Sequence, residues 1–385
     1  MFFELKNIGA VKHANIELGK LTIICGKNNT GKTYITYSIY GFLTHLFASE
    51  FETGDFKSLT QEKLNELSSQ FTDKLTDIFS ANADEFLEAE FHVGTEKLQV
   101  DSPPFENNSN AGEVLRENFP RPFILSAERT SIQLFQKELD RNRSDLVKAL
   151  TKTRNLALLE KQVARFALPI SADIDFARDT TSVVKSNSFL KQQKPALTTY
   201  IEDMLGVQYE IINGQILVID KTTNKPLPYY MSSASVRTLF DLHLWLKHQA
   251  QPGDILFMDE PEINLHPENQ LKMARLLVRL VNSGINVFIT THSDYIIKEF
   301  NNLSMLANDF SEKPALMNEF GYTQDDVLHP EDLKAYIARA FGTISPVDID
   351  EYGMIQSGFD DVIVQINETS NKLISATDEL LGIVE

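Results

Sequence analysis

Gly26-Lys27-Asn28-Asn29-Thr30-Gly31-Lys32-Thr33 stands between an apolar run, Leu21–Cys25, and a helix-like run from Tyr34 to about Phe47. The glycines let backbone N–H groups turn inward around phosphate, and Lys32 supplies a fixed cation for the β- and γ-phosphates. The Thr33 hydroxyl is of the kind that ligates Mg²⁺, and the helix beginning there points its positive end at the anion. Strand, glycine loop and helix in that order predict an α/β fold with phosphate held at the edge of a parallel sheet. Upstream, Phe2–Lys6 and Asn15–Leu18 read as two further short strands.

Downstream, the same edge is expected to recur twice. Ile255-Leu256-Phe257-Met258 has the composition of a buried strand and ends in Asp259-Glu260-Pro261. Adjacent carboxylates there can divide two tasks, Asp259 holding Mg²⁺ through water and Glu260 polarising the attacking water. After a helix at Pro267–Ser283, Val287-Phe288-Ile289-Thr290-Thr291 leads a second apolar strand to His292. An imidazole placed there can contact the γ-phosphate or the attacking water. The expected catalytic pair is Glu260 and His292, and the expected metal ligands are Thr33 and Asp259.

Elsewhere the pattern is less regular. Residues 60–90 read as helical, with Leu64, Leu67, Phe71, Leu75 and Phe79 three and four apart. Ala89–Val100 alternates around a glycine turn, Asp101–Gly112 reads as a loop, and Phe123–Leu125 as a strand leading into a helical region to about Ala167. A helix is expected at Pro195–Leu205, a hairpin at Tyr209–Asp220 turning on Asn213–Gly214, and one apolar helix over Ser232–His248. After a helix at Tyr295–Asn301 come a small strand region, Asp332–Ile337 and Thr343–Ile349, and a closing helix from Phe359 to Leu381.

The loop GKNNTGKT, the stretch DEPEINLHPENQ and the strand ending in His292 together resemble the ATP-binding heads of the ABC class, in particular the RecF, SMC and OLD-type proteins. The resemblance covers residues 1–45 and roughly 225–300. It implies an ABC-type ATPase head: a P-loop parallel sheet, an N-terminal antiparallel β part and a mostly helical inserted lobe, with no long coiled coil. Residues 1–45 and 225–305 would form the core, 46–224 the β/helical insert with its signature-side helices, and 306–385 an acidic α/β extension. ATP and Mg²⁺ are the implied ligands. His266 stands where transporters and SMC heads usually carry Asp. The family's signature segment, which reaches across a homodimer to the partner's γ-phosphate, is matched by Met231–Arg237 with Ser232 and Ser233 as contacts. Ala234 takes the place of its second glycine. Gln133 and Gln136 are both candidates for the glutamine that reports on the γ-phosphate, and Glu128–Arg129 lies where relatives often carry an acidic–Arg pair. Lys12 and His13 fall where family members approach the adenine.

Composition narrows the role. The chain has 385 residues and a formal charge of −18, which argues against a body that coats nucleic acid and allows only weak DNA contact unaided. Residues 309–385 hold sixteen acidic and four basic side chains, whereas Arg129–Arg165 holds nine Lys/Arg against four Asp/Glu. The single cysteine, Cys25, excludes an internal disulfide and fits a reducing cytoplasm. No signal peptide is evident at Met1–Glu4, and Tyr34–Phe51, the best candidate span, carries Thr, Ser, Tyr and His throughout and reads as a buried helix. A fused OLD-type nuclease would need about 100 further residues or more after the ATPase, and fewer follow Asn301. Asp348, Asp350, Glu351 and the pair Asp360–Asp361 read as surface turns. The expected protein is therefore a stand-alone ATPase that dimerises through ATP-sandwiched heads, with larger assemblies open, and controls a separate effector such as a nuclease or toxin in phage defence. A RecF-like DNA clamp is the first alternative and wants a basic groove. A self-contained toxin nuclease is the second and needs a His/Arg/Glu group after residue 301.

Overall fold

The computed structural model describes residues 1–53, 61–94, 119–135, 166–212 and 214–354, with isolated positions at 138, 141, 369 and 372. The chain starts as an antiparallel hairpin of β1 (Phe2–Ile8) and β2 (Val11–Glu17). Alternation buries Phe3 and Leu5 of the first strand and Ala14 and Ile16 of the second. β3 (Leu21–Gly26) follows, buried at every position, and α1 (Lys32–Thr53) begins after a short loop. α2 (Gln61–Thr72) turns Leu64, Leu67 and Phe71 inward, and β4 (Glu90–Gly94) pairs with the free edge of β1.

β5 (Pro122–Leu125), α3 (Leu168–Arg178) and α4 (Pro195–Leu205) come next. A three-stranded antiparallel sheet follows, β6 (Val207–Ile212), β7 (Gln215–Asp220) and β8 (Pro226–Pro228). The chain then runs through α5 (Ala234–Thr238), α6 (Phe240–His248), β9 (Ile255–Asp259), α7 (Pro267–Val281), β10 (Asn286–Thr291) and α8 (Asp294–Met305). It returns to the sheet in β11 (Leu333–Ala338) and β12 (Ile344–Pro346).

The central sheet has the order β12-β11-β3-β10-β9-β5, parallel except for the edge strand β12. Both faces are covered, which is why its inner strands are near-continuous apolar runs. Ile24, Phe257 and Phe288 pack with α1 and the β2-β1-β4 sheet, while Ile23, Met258 and Ile289 pack with α6, α7 and α8 on the other face. Beside β3 runs β11, from the stretch read as an acidic extension, with Ala338 opposite Gly26. β5, from the stretch read as an insert, closes the other side. Cys25 is core: its thiol donates to Tyr336 O at 3.1 Å, and burial pushes its pKa up to about 12. No helix among the described residues is long and apolar enough to cross a membrane.

One expected helix is two. The run Ser232–His248 breaks at Leu239 (φ −101°, ψ 0°), where α5 gives way to α6. The Tyr209 and Tyr229 hydroxyls donate to the carbonyls of Val236 (2.6 Å) and Arg237 (3.0 Å), satisfying acceptors at that break. The loop Asp101–Gly112, Asn213, the pair Asp360–Asp361, and, isolated positions aside, the helical region beyond Phe135 and the closing helix Phe359–Leu381 lie outside the described residues.

Candidate active site

β3, β10 and β9 are neighbours in the parallel sheet, so their C-terminal ends open on one edge. Gly26 leaves β3 at φ 143°, with Ala338 O 2.4 Å from where a Cβ would stand, so no side chain fits. Thr30 Oγ1 donates to Lys27 O at 2.7 Å and closes the loop. Lys27, Asn28, Asn29 and Thr33 are exposed, whereas Gly31 and Lys32 are buried. Lys32 Nζ donates to the carbonyls of Gly26 (2.8 Å) and Lys27 (2.9 Å), two of the three bonds an ammonium can make. Burial pulls its pKa below the ordinary lysine value, against the field of Glu260, Glu262 and Asp259.

Asp259 is buried at the end of β9. Thr290 Oγ1 donates to its Oδ1 at 2.9 Å, and Oδ2 has no hydrogen-bond partner among the described residues. Burial pushes this carboxyl up to about 7, against the pull of Thr290 and Arg129. Glu260 has φ 47°, a left-handed backbone that a glutamate adopts only under constraint. The constraint is visible on both sides. Its N–H donates to Thr290 O at 3.0 Å, and its carbonyl accepts from Arg129 Nη2 at 2.8 Å. Its Oε1 lies 3.5 Å from His292 Nδ1, and Glu262 Oε1 lies 3.3 Å from the same nitrogen. Glu262 also accepts from Thr291 Oγ1 and from His292 N–H, both at 2.8 Å, and so positions the end of β10. The Glu260 and His292 side chains are 28% and 46% exposed, so this pair faces solvent while Asp259 does not.

Beneath the edge lies a polar layer. The Arg129 guanidinium is fully enclosed and donates to the carbonyls of Ser126 (2.7 Å), Asp259 (2.6 Å) and Glu260 (2.8 Å). One planar cation thereby ties the end of β5 to the end of β9. Ser126 N–H donates to Asp173 Oδ2 at 2.9 Å, and Gln133 Nε2 to Asp241 Oδ1 at 2.6 Å. Burial pushes Asp173 up to about 8 and Asp241 up to about 7. The Thr130 and Thr238 hydroxyls stand 2.9 Å apart, and Asn264 Nδ2 donates to both, at 3.2 and 3.1 Å. These bonds join the segment after β5, the end of α5 and the loop after β9.

The fold thus brings Lys32, Asp259, Glu260 and His292 together. Ser232 and Ser233 bond within their own segment, Ser232 Oγ donating to Tyr229 O (2.6 Å) and Ser233 Oγ capping α5 at Val236 N (3.4 Å). Gln133 is engaged by Asp241, and Gln136 lies outside the described residues. His266 caps α7 through Nδ1. Lys12 and His13 are exposed on β2, next to the bridge between His13 and Thr343. Arg129, Glu262, Asp173 and Asn264 were not singled out as site residues. Glu262 and Asn264 both lie inside DEPEINLHPENQ and Arg129 in the pair Glu128–Arg129, whereas Asp173 has no motif around it. Among the described residues no group of three His, Cys, Asp or Glu is arranged to hold a metal ion. The unpartnered Asp259 Oδ2 and the exposed Thr33 hydroxyl suit Mg²⁺, which takes one or two protein ligands beside substrate phosphates.

Comparison with solved structures finds the Smc head bound to the C-winged helix domain of ScpA, at 11% identity and TM-score 0.38 over 90% of this chain and 96% of that one. The SMC head domain from Thermotoga maritima aligns at 13% identity and TM-score 0.34, over 90% and 98%. The ADP conformation of MJ1267, an ATP-binding cassette of an ABC transporter, aligns at 9% identity and TM-score 0.32, over 90% of each chain. Comparison with curated protein sequences finds no match. The family described as AAA ATPase domain matches residues 1–203 and 231–297. That span takes in the loop after β3, Arg129, the carboxylates of β9 and His292, and the chain belongs to the AAA ATPase domain family.

Proposed function

We propose that the protein binds ATP with Mg²⁺ on residues 26–33 and hydrolyses it in a site that a second copy completes. The observation that carries this reading is the delivery of Lys32, Asp259 with Glu260, and His292 to one edge by three adjacent strands. Thr33 and Asp259 would hold Mg²⁺, whose charge would offset that of the β- and γ-phosphate oxygens. Lys32 would give its third donor to the same phosphates. Glu260, its backbone clamped from both sides and its side chain part-exposed, would accept a proton from the attacking water. His292, steadied by Glu262, would contact the γ-phosphate.

Ser232 and Ser233 would act on ATP held by the other subunit of a homodimer, since they open a helix and their own bonds stay within their segment. Binding would lock two heads together and hydrolysis would release them. We read the bound state as the signal to a separately encoded effector, a nuclease or toxin of a cytoplasmic phage-defence system. The net charge of −18 favours this over a DNA clamp.

Glu260→Gln tests the chemistry. The amide keeps shape and loses the base, so ATP binding should persist while hydrolysis falls by roughly 10²-fold or more. Dimers should accumulate with ATP in light scattering after gel filtration. Wild-type turnover in this variant would move the catalytic role to another residue. Trapped Glu260→Gln dimers should also retain the effector on an affinity column, and ADP should release it.

A further inference from the structure

Phe341 is 85% exposed, more than any other large hydrophobic side chain among the described residues. Its backbone is left-handed (φ 67°, ψ 19°), the first of two such residues in the turn between β11 and β12, with Gly342 at φ 74°. Arg339 N–H donates to Thr343 O at 2.9 Å and closes that hairpin. Turns with two left-handed central residues favour Asn-Gly, Asp-Gly or Gly-Gly, and a bulky residue in the first position carries strain. A ring left in water returns nothing for that strain through burial. Neither the turn nor the core accounts for Phe341.

The surroundings place it. Ala338 pairs with Gly26, the first residue of the phosphate loop. A Cβ on Gly342 would lie 2.0 Å from Ala10 O and 2.9 Å from Lys12 N, so the turn is seated against the β1–β2 turn. His13 bridges to Thr343 in the same place. Phe341 is three residues past Ala338, no more than about 10 Å of chain. Sheet order then decides which end of a nucleotide it meets. The residues that must face the γ-phosphate, Glu260 and His292, lie on the β10 and β9 side of β3. The nucleoside end therefore leaves the loop on the opposite side, toward β11 and its turn.

We propose that Phe341 is the platform on which the adenine base of ATP stacks. The inference rests on the reading of residues 26–33 as the ATP loop. A π-face accepts either purine, so the ring adds affinity without selecting adenine over guanine.

The test is titration calorimetry with Mg²⁺ and three probes: a non-hydrolysable ATP analogue, the GTP analogue, and inorganic tripolyphosphate. Phe341→Ala should weaken both nucleotide analogues by roughly 5- to 150-fold, the range of one base stacked on one aromatic, and leave tripolyphosphate unchanged. Phe341→Trp should restore nucleotide binding. Phe341→Gly should melt no lower than wild type, since glycine suits the left-handed turn. Unchanged nucleotide affinity in Phe341→Ala, an equal loss of tripolyphosphate, or a lower melting point for Phe341→Gly would overturn the proposal. Lys32→Ala separates the two readings. It should lose tripolyphosphate as well, and if it does not, the loop assignment falls and the stacking proposal with it.

Discussion

Arg129 shows how much one side chain can hold. Its fork satisfies three carbonyls from two strand ends, and the backbone of Glu260 keeps its left-handed turn partly because of it. Arg129→Met would leave those acceptors and the nearby Asp173 and Asp259 without their cation. We expect a loss of about 3–5 kcal/mol in urea denaturation, with Arg129→Lys recovering less than half, because an ammonium lacks the planar fork. Stability equal to wild type in Arg129→Met would show that the carbonyls are held by other means. Asp173 predicts a pH dependence. Its folded pKa, about 8, lies above the ordinary 3.8, as does that of Asp241 at about 7, so the folded chain keeps protons that the unfolded chain releases. The stability linked to them is whole below pH 3.8 and is lost as pH rises through 7 and 8. His243, pushed down to about 3 by burial, acts the other way: its contribution is present above 6.5 and is lost as pH falls toward 3. Between pH 6.5 and 8 the change comes from the buried carboxyls, Asp259 at about 7 included. Wild type should lose on the order of 1–2 kcal/mol more than Asp173→Asn over that window, and parallel slopes for the two proteins would rule the effect out.

The elements differ in how plainly the sequence announces them. β3, β9 and β10 are covered on both faces, and an uninterrupted apolar run ending in a chemically loaded loop is hard to misread. That is why Lys32, Asp259, Glu260 and His292 could be named in advance. β11 is legible as a strand, but its place beside β3 is not. Its apolar run is interrupted by Lys334, which reaches out to Glu17 at 2.7 Å, and its partner in the sheet lies some three hundred residues earlier. The break at Leu239 depends on hydroxyls from Tyr209 and Tyr229, which no local periodicity reports. Arg129 is a lone cation in a polar run, and only the folded arrangement reveals the carbonyls it serves. If Ser232 and Ser233 act across a dimer, a Lys32→Ala chain mixed with a chain bulky at both serines should form heterodimers with one intact site. Partial recovery of ATPase activity is expected, and heterodimers that form yet show none would count against the arrangement.

As a whole molecule, the protein is too acidic to be drawn to nucleic acid by its net charge. At −18 overall, the isolated protein should form no specific duplex complex near physiological salt, with or without ATP, in a filter-binding assay. Any residual affinity through six phosphate contacts should fall by roughly 10³ or more between 50 and 200 mM salt. Tight, ATP-dependent binding that vanishes when Arg141, Arg143 and Lys148 are reversed in charge would make the DNA clamp the better account. The sheet order also governs events in time. β3 is central yet among the first strands made, while its two neighbours, β10 and β11, are made late. On the ribosome it must wait with both edges unpaired until Asn286–Thr291 has emerged, and with one edge still open until Leu333–Ala338 follows and Ala338 can close on Gly26. The nascent chain carries its phosphate loop long before it has anything to hold that loop in shape. Through that interval an apolar strand stands open to the wrong partner, which makes stalled or prematurely terminated synthesis the condition under which this chain is most prone to aggregate.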